Sequence, residues 1–81
     1  MNILEQIIEN FYEEEFLKAN GFDDAVIGLE ENEMRLIYSV SKCIEILKID
    51  MSNDDALEHF NYNVSGAYVG KKTPIWCWDI F

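Results

Sequence analysis

Apolar residues recur at helical spacing at the start of the chain, at strand-like spacing in its middle, and as a dense aromatic run at its end. Leu4, Ile7, Ile8 and Phe11 follow the three-and-four spacing of an amphipathic helix, extended less cleanly by Tyr12, Phe16 and Leu17. Asn2 can cap this helix and the Asn20–Gly21 pair can stop it through a left-handed residue, which predicts a helix over 2–19. The runs Ala25–Leu29 and Arg35–Tyr38 flank the polar segment Glu30–Glu33 and predict an antiparallel hairpin. Ser39 or Ser41 can cap a second helix, in which Val40, Ile44 and Leu47 share one side with Cys43 beside them, and which runs to Ile49.

Ser52 followed by Asp55 resembles a capping box, with Asp in the place of the usual Glu or Gln. From there Leu57, Phe60, Val64 and Ala67 or Tyr68 repeat at helical spacing as far as Gly70, a natural stop. Gly66 interrupts that helix at a cost of about 1 kcal/mol against alanine. Lys71 and Lys72 suit its negative end. After Pro74, the stretch "IWCWDIF" is rich in aromatic and β-branched residues and reads as a strand. Alternation puts Ile75, Cys77 and Asp79 on one face and Trp76, Trp78 and Ile80 on the other. The fold class is α+β: an N-terminal helix, a hairpin, two helices and a C-terminal strand, forming a small antiparallel sheet. Pairing of the last strand with the hairpin buries the tryptophans under the helices. A three-stranded sheet cannot hide both edges, so this strand can also meet a partner.

Eighty-one residues make a single domain, 1–81, and a hydrophobic content of 49% is too high for disorder to be expected. Sixteen acidic residues against six basic ones leave a net charge of -10. That balance repels nucleic acid and anionic membranes and favours basic partners, while also keeping a small protein soluble. Cys43 and Cys77 share no metal or redox spacing and read as reduced thiols. The N-terminus lacks a basic region ahead of an apolar run, and no apolar run approaches the about 20 residues that span a bilayer. A soluble protein of the cytoplasm is expected.

Little catalytic chemistry is available. His59 is the only imidazole, and Asp55 one turn earlier could form a His–Asp pair; a surface histidine is the plainer reading. Carboxylates without metal-ligand spacing supply no further ligands, so no metal or cofactor is expected. Cys43 lies on the apolar side of its helix and Cys77 between two tryptophans, both positions for packing. An active site built from His59, Asp55 and Cys77 across a dimer is the sole enzymatic arrangement available. "GFDDAVIGLE" invites comparison with acyl carrier proteins, which carry a modified serine directly after an aspartate. Here that position is Asp24, without a hydroxyl, and a hairpin follows where a helix is required.

The acidic residues offer more. Glu5, Glu9 and Glu13 fall one turn apart on the first predicted helix, with Glu14 and Glu15 adjacent, and Glu30, Glu31 and Glu33 crowd the hairpin turn. Carboxylates one turn apart lie about 5–6 Å from each other, near the phosphate repeat of a nucleic-acid strand. Such a row suits a groove in which Lys and Arg normally meet a phosphate backbone. The same pattern also describes the solvated face of an ordinary amphipathic helix.

With these motifs in view, "DDAVIG", "RLIYSVSKCIEIL" and "MSNDDALEHFNYNVSGAYVGKKTPI" resemble a group of small acidic bacteriophage-encoded proteins of unassigned activity. The block "ALEHFNYNVSGAYVGKKTP" carries most of the likeness, and it brings no catalytic residues with it. What the resemblance implies is a protein that blocks host machinery, in the manner of anti-CRISPR proteins that occupy the basic nucleic-acid channel of a CRISPR-associated nuclease. The expected function is therefore non-enzymatic inhibition of a basic host protein by partial nucleic-acid mimicry, without direct nucleic-acid binding. The partner-contacting residues would be Glu5, Glu9, Glu13, Glu30, Glu31 and Glu33. The alternative is an interaction module that forms a homodimer or docks through Trp76 and Trp78 on the apolar C-terminal strand.

Overall fold

A computed structural model describes residues 2–64 and 70–80. The elements run α1 (Ile3–Asn10), a 3-10 turn at Asp23–Ala25, β1 (Val26–Glu30), β2 (Arg35–Ser39), α2 (Val40–Leu47), α3 (Asn53–His59), a π-helical turn at Phe60–Val64, and β3 (Ile75–Cys77). The α+β architecture and its element order follow the hydrophobic pattern. The continuation of the third helix over Gly66, Ala67 and Tyr68 lies outside the described residues.

Helix α1 is half the expected length. Asn2 caps it, its side chain accepting from the Glu5 N–H at 2.8 Å, and Leu4 and Ile7 are its buried residues. The helix stops at Asn10, and the chain from Glu15 to Ala19 forms no regular element. That path lets the Ala19 N–H donate to the Tyr38 hydroxyl at 2.9 Å, while Phe16 packs on the core. A helix continued to residue 19 would also have stacked Glu5, Glu9 and Glu13 as like charges at i,i+4 spacing, which is unfavourable. A helix of eight residues is marginal alone, so its stability comes from packing on β1.

The hairpin forms as expected, with Leu29 opposite Leu36 and Glu30 opposite Arg35. A bulge separates Val26 from Gly28. The turn closes with Met34 at φ 55, a left-handed conformation that side chains rarely adopt, and both carboxylate oxygens of Glu30 accept from the Glu33 N–H. Met34→Gly therefore removes backbone strain, and we expect it to leave stability unchanged or raise it by about 0.5–1 kcal/mol in a denaturant titration.

The sheet is mixed, in the order β1-β2-β3, and corrects the expectation of a wholly antiparallel one: β3 runs parallel to β2, Trp76 beside Tyr38. The reason lies in the connection. Helices α2 and α3 fill the link between β2 and β3, and a helical crossover returns the chain to the end from which it started, so the next strand is parallel. The strand itself is short, ending at Cys77 rather than continuing through Trp78 and Ile80.

One core lies between the sheet and the helices. Val26, Leu36 and Tyr38 meet Leu4 and Ile7 of α1, Val40, Cys43 and Ile44 of α2, and Ala56 and Phe60 at and beyond α3. Trp76 joins this core from β3, tilted against Tyr38 with ring centroids 5.1 Å apart and edge-on to Phe60 at 5.3 Å. Its indole Nε1 is buried and has no acceptor among the described residues.

Candidate functional site

Charge is unevenly distributed over this surface. Lys18, Arg35, Lys71 and Lys72 gather around the turn that leads into β3. Arg35 Nε donates to the Thr73 carbonyl at 2.7 Å, and Lys72 Nζ donates to the Glu15 carbonyl at 2.8 Å and pairs with the Glu14 carboxylate at 3.3 Å. Lys18 lines a cleft of about 210 Å³ together with Pro74 and Trp76. Lys72 thus ties the 15–19 segment to the turn; the helix end that it and Lys71 were expected to suit lies outside the described residues. Apart from Lys72–Glu14, the ion pair formed among the described residues is Lys48–Glu45 on α2.

Among the described residues the acids elsewhere form no ion pair. Glu5 and Glu9 are exposed on α1 one turn apart, and Asp24 accepts from the Asn2 side chain at the start of that helix, adding a carboxylate at its N-terminal end. Glu13 does not continue the row, since it sits in the turn after α1. Of the hairpin acids, Glu31 and Glu33 are exposed, whereas Glu30 is occupied with the turn amide. The structure therefore places Glu5 with Glu9 and Glu31 with Glu33, and breaks the six-residue array at Glu13 and Glu30. A further acidic strip was not singled out from sequence: Asp54, Asp55 and Glu58 are exposed on α3. Its signal was present in the acidic first turn after Ser52 and in the i,i+4 spacing of Asp54 and Glu58. Asp55 and Glu58 line a shallow groove with Met51, His59 and Tyr62.

The two tryptophans separate in role. Trp76 is a core residue, while Trp78 remains 49% exposed, packed edge-on against Phe60 at 5.9 Å. His59 does not pair with Asp55; its Nδ1 lies 3.4 Å from the Asn63 side-chain nitrogen. Among the described residues no group of three or more His, Cys, Asp or Glu side chains is placed to hold a metal ion. Cys43 is fully buried, and burial, with the Asp79 carboxylate second, pushes its thiol up to about 12. Cys77 is partly exposed. We expect a maleimide or iodoacetamide to modify Cys77 alone in the folded protein, as read by intact mass; equal labelling of Cys43 would contradict its burial.

Asp79 has a position that strand alternation did not foretell. Its Oδ2 accepts from the Ser39 hydroxyl at 2.5 Å and its Oδ1 from the Ser41 N–H at 2.8 Å. Ser39 is also the N-cap of α2, its Oγ accepting from the Lys42 N–H at 3.2 Å. The carboxylate thus closes the positive end of a helix from a segment forty residues away in sequence. These hydrogen bonds, the Ser39 hydroxyl first and the Ser41 amide next, lower its pKa to about 2. This latch holds the segment after β3 against the start of α2.

No helix among the described residues is long and apolar enough to cross a membrane. Comparison with known proteins supplies no relative: no family model, no curated protein and no solved structure matches the chain.

Proposed function

We propose that this chain is a non-enzymatic inhibitor whose acidic surface occupies the basic nucleic-acid-binding surface of a host defence protein. Its resemblance to phage proteins points to a CRISPR-associated nuclease as the target, met in the host cytoplasm. The observation that carries this reading is the segregation of charge. Four of the six basic side chains are drawn to the turn before β3, leaving the acids of α1, the hairpin tip and α3 unneutralised on a chain of net charge -10. Such a surface steers a basic partner into encounter and binds it less tightly as salt rises.

Glu5 and Glu9, spaced by a single turn, are the closest approach to a phosphate repeat; Glu31 and Glu33 form a second contact, and Glu13, Asp54, Asp55 and Glu58 extend the negative field. Mimicry is then a matter of patches and not of one continuous row. A tagged protein should retain a nucleic-acid-binding protein from cells carrying CRISPR effectors at low salt and shed it at high salt. Joint replacement of Glu5, Glu9, Glu31 and Glu33 by lysine should abolish that retention; unchanged retention by this variant would end the proposal.

A second reading rests on the exposure of Trp78 and Ile80, which could dock on a partner beside the open edge of β3. Trp76 is committed to the core, so Trp78 alone would carry this contact. Trp78→Ala would then abolish binding that persists in high salt.

A further inference from the structure

The cleft beside Lys18 has an apolar floor and a polar rim. Phe22 and Pro74 are buried in its floor, which the half-buried Val64 and Trp76 complete. Lys18, Asn20 and Asn63 stand exposed around its mouth. No acid among the described residues lines it, on a chain that carries sixteen. Lys18 enters no ion pair among the described residues, whereas Lys72 is taken up by Glu14 and the Glu15 carbonyl. Both sides of the cleft are held by the core. The Ala19 N–H donates to the Tyr38 hydroxyl at 2.9 Å, and the Trp76 ring packs on that same tyrosine with centroids 5.1 Å apart. Asn63 and Val64 come from the π-helical turn after α3, a widened geometry common at functional sites. The Nε1 of Trp76 is buried without an acceptor among the described residues, which is uncommon for an indole.

We propose that this cleft binds a small aromatic carboxylate, its ring against Phe22, Pro74 and Trp76 and its carboxylate at Lys18. Size, shape and charge each narrow the ligand. The cleft measures about 210 Å³. Drug-sized sites run to about 300–1,000 Å³, and an apolar cavity of about 150 Å³ holds a benzene ring, so this one takes a single ring with a short substituent. A flat ring suits a floor of aromatic rings and proline, where offset and edge-on contacts add to area burial. At the mouth an ammonium and two carboxamides supply donors, which selects an anionic acceptor. One cation there matches the single charge of a carboxylate better than the nearly double charge of a phosphate. The net charge of -10 repels anions at a distance. At about 0.15 M salt that repulsion reaches only about 8 Å, so the charge beside the ligand decides.

Benzoate is the probe, titrated into the isotope-labelled full chain at about 0.15 M salt and followed by the two indole N–H resonances. Trp78→Phe assigns them, since Trp78 is half exposed and lies outside the cleft. The Trp76 resonance should shift saturably, with a Kd of about 0.1–1 mM for a ligand of so few atoms, while that of Trp78 stays in place. Lys18→Gln changes an exposed side chain and leaves the fold intact, and it should weaken binding about five- to tenfold. Benzamide, the neutral isostere, should bind the unsubstituted protein at least about fivefold more weakly than benzoate. Acetate, which has the charge without the ring, should leave both resonances unmoved. Capture of a nuclease has no part in this titration, so the cleft and the inhibitor reading can each fail alone. No saturable shift up to about 10 mM benzoate would overturn the inference. So would parallel shifts of both indoles, which mark adsorption to apolar surface at large, or an affinity unchanged by Lys18→Gln or by the loss of charge in benzamide.

Discussion

Phe60→Ala should remove most of the stability of this protein. The ring is fully buried where α3 passes into the π-helical turn, and both tryptophans of the C-terminal segment pack edge-on against it. Truncating a buried phenylalanine costs about 3–5 kcal/mol in transfer and cavity terms. A chain of this size has about 4–12 kcal/mol in total. The melting temperature should therefore fall by roughly 15–30 °C, with the tryptophan emission of the native state shifted to the red. A fall of only a few degrees would mean that the aromatic cluster is not what holds the last strand to the helices. Phe60→Leu, which keeps most of the volume, should recover the greater part of the loss.

The second large effect is expected at the latch between Asp79 and the start of α2. Ser39→Ala removes a buried N-cap and the hydroxyl donor to Asp79 together. The cap alone accounts for about 1–2 kcal/mol, or a melting temperature lower by roughly 10 °C. Asp79→Asn keeps the shape and loses the charge, and its effect should depend on pH. The folded-state pKa is depressed to about 2 from an ordinary 3.8, so the latch stabilises the fold fully above the unfolded value and loses that contribution as pH falls through the folded one. The difference in melting temperature between the wild type and Asp79→Asn should be constant above about pH 5, shrink below about pH 4 and close only below about pH 2. A difference undiminished at pH 2 would show that the carboxylate acts through packing and not through its charge.

Local signals in the sequence foretold the elements well, and long-range ones poorly. Asn2 and Ser52 cap the helices they were expected to cap, and Ser39, one of the two serines offered for α2, caps that one, because a cap depends on three or four adjacent residues. Cys43 is packing, as its place on an apolar helix side implied. Helix α1 was overextended because Phe16 and Leu17 fit its stripe loosely, while the bond from Ala19 to Tyr38 that draws the segment out of the helix spans nineteen residues. The direction of β3 was legible in principle, since two helices between strands form a crossover. The aromatic composition of "IWCWDIF" says nothing about direction, however. Alternation placed Asp79 only on a strand face with Ile75 and Cys77, because its partners, Ser39 and Ser41, approach it only in the folded chain.

The candidate surface shows the same division. That Glu5 and Glu9 share an exposed face follows from helical spacing. The loss of Glu13 from the row, and the capture of Glu30 by its own turn, follow from backbone geometry that acid counting does not contain. The clustering of Lys18, Arg35 and Lys72 about one turn is tertiary and appears nowhere in the local sequence.

The most direct measurement is displacement of labelled target DNA from guide-loaded CRISPR-associated nucleases, followed by fluorescence anisotropy across a range of salt concentrations. A nuclease that loses its DNA stoichiometrically to this protein, with an apparent affinity that declines steadily with salt and disappears when Glu5, Glu9, Glu31 and Glu33 are changed to lysine, is the predicted result. Displacement that ignores salt and survives those four substitutions, or DNA that stays bound to every nuclease tried, would contradict an acidic surface made to occupy a nucleic-acid site.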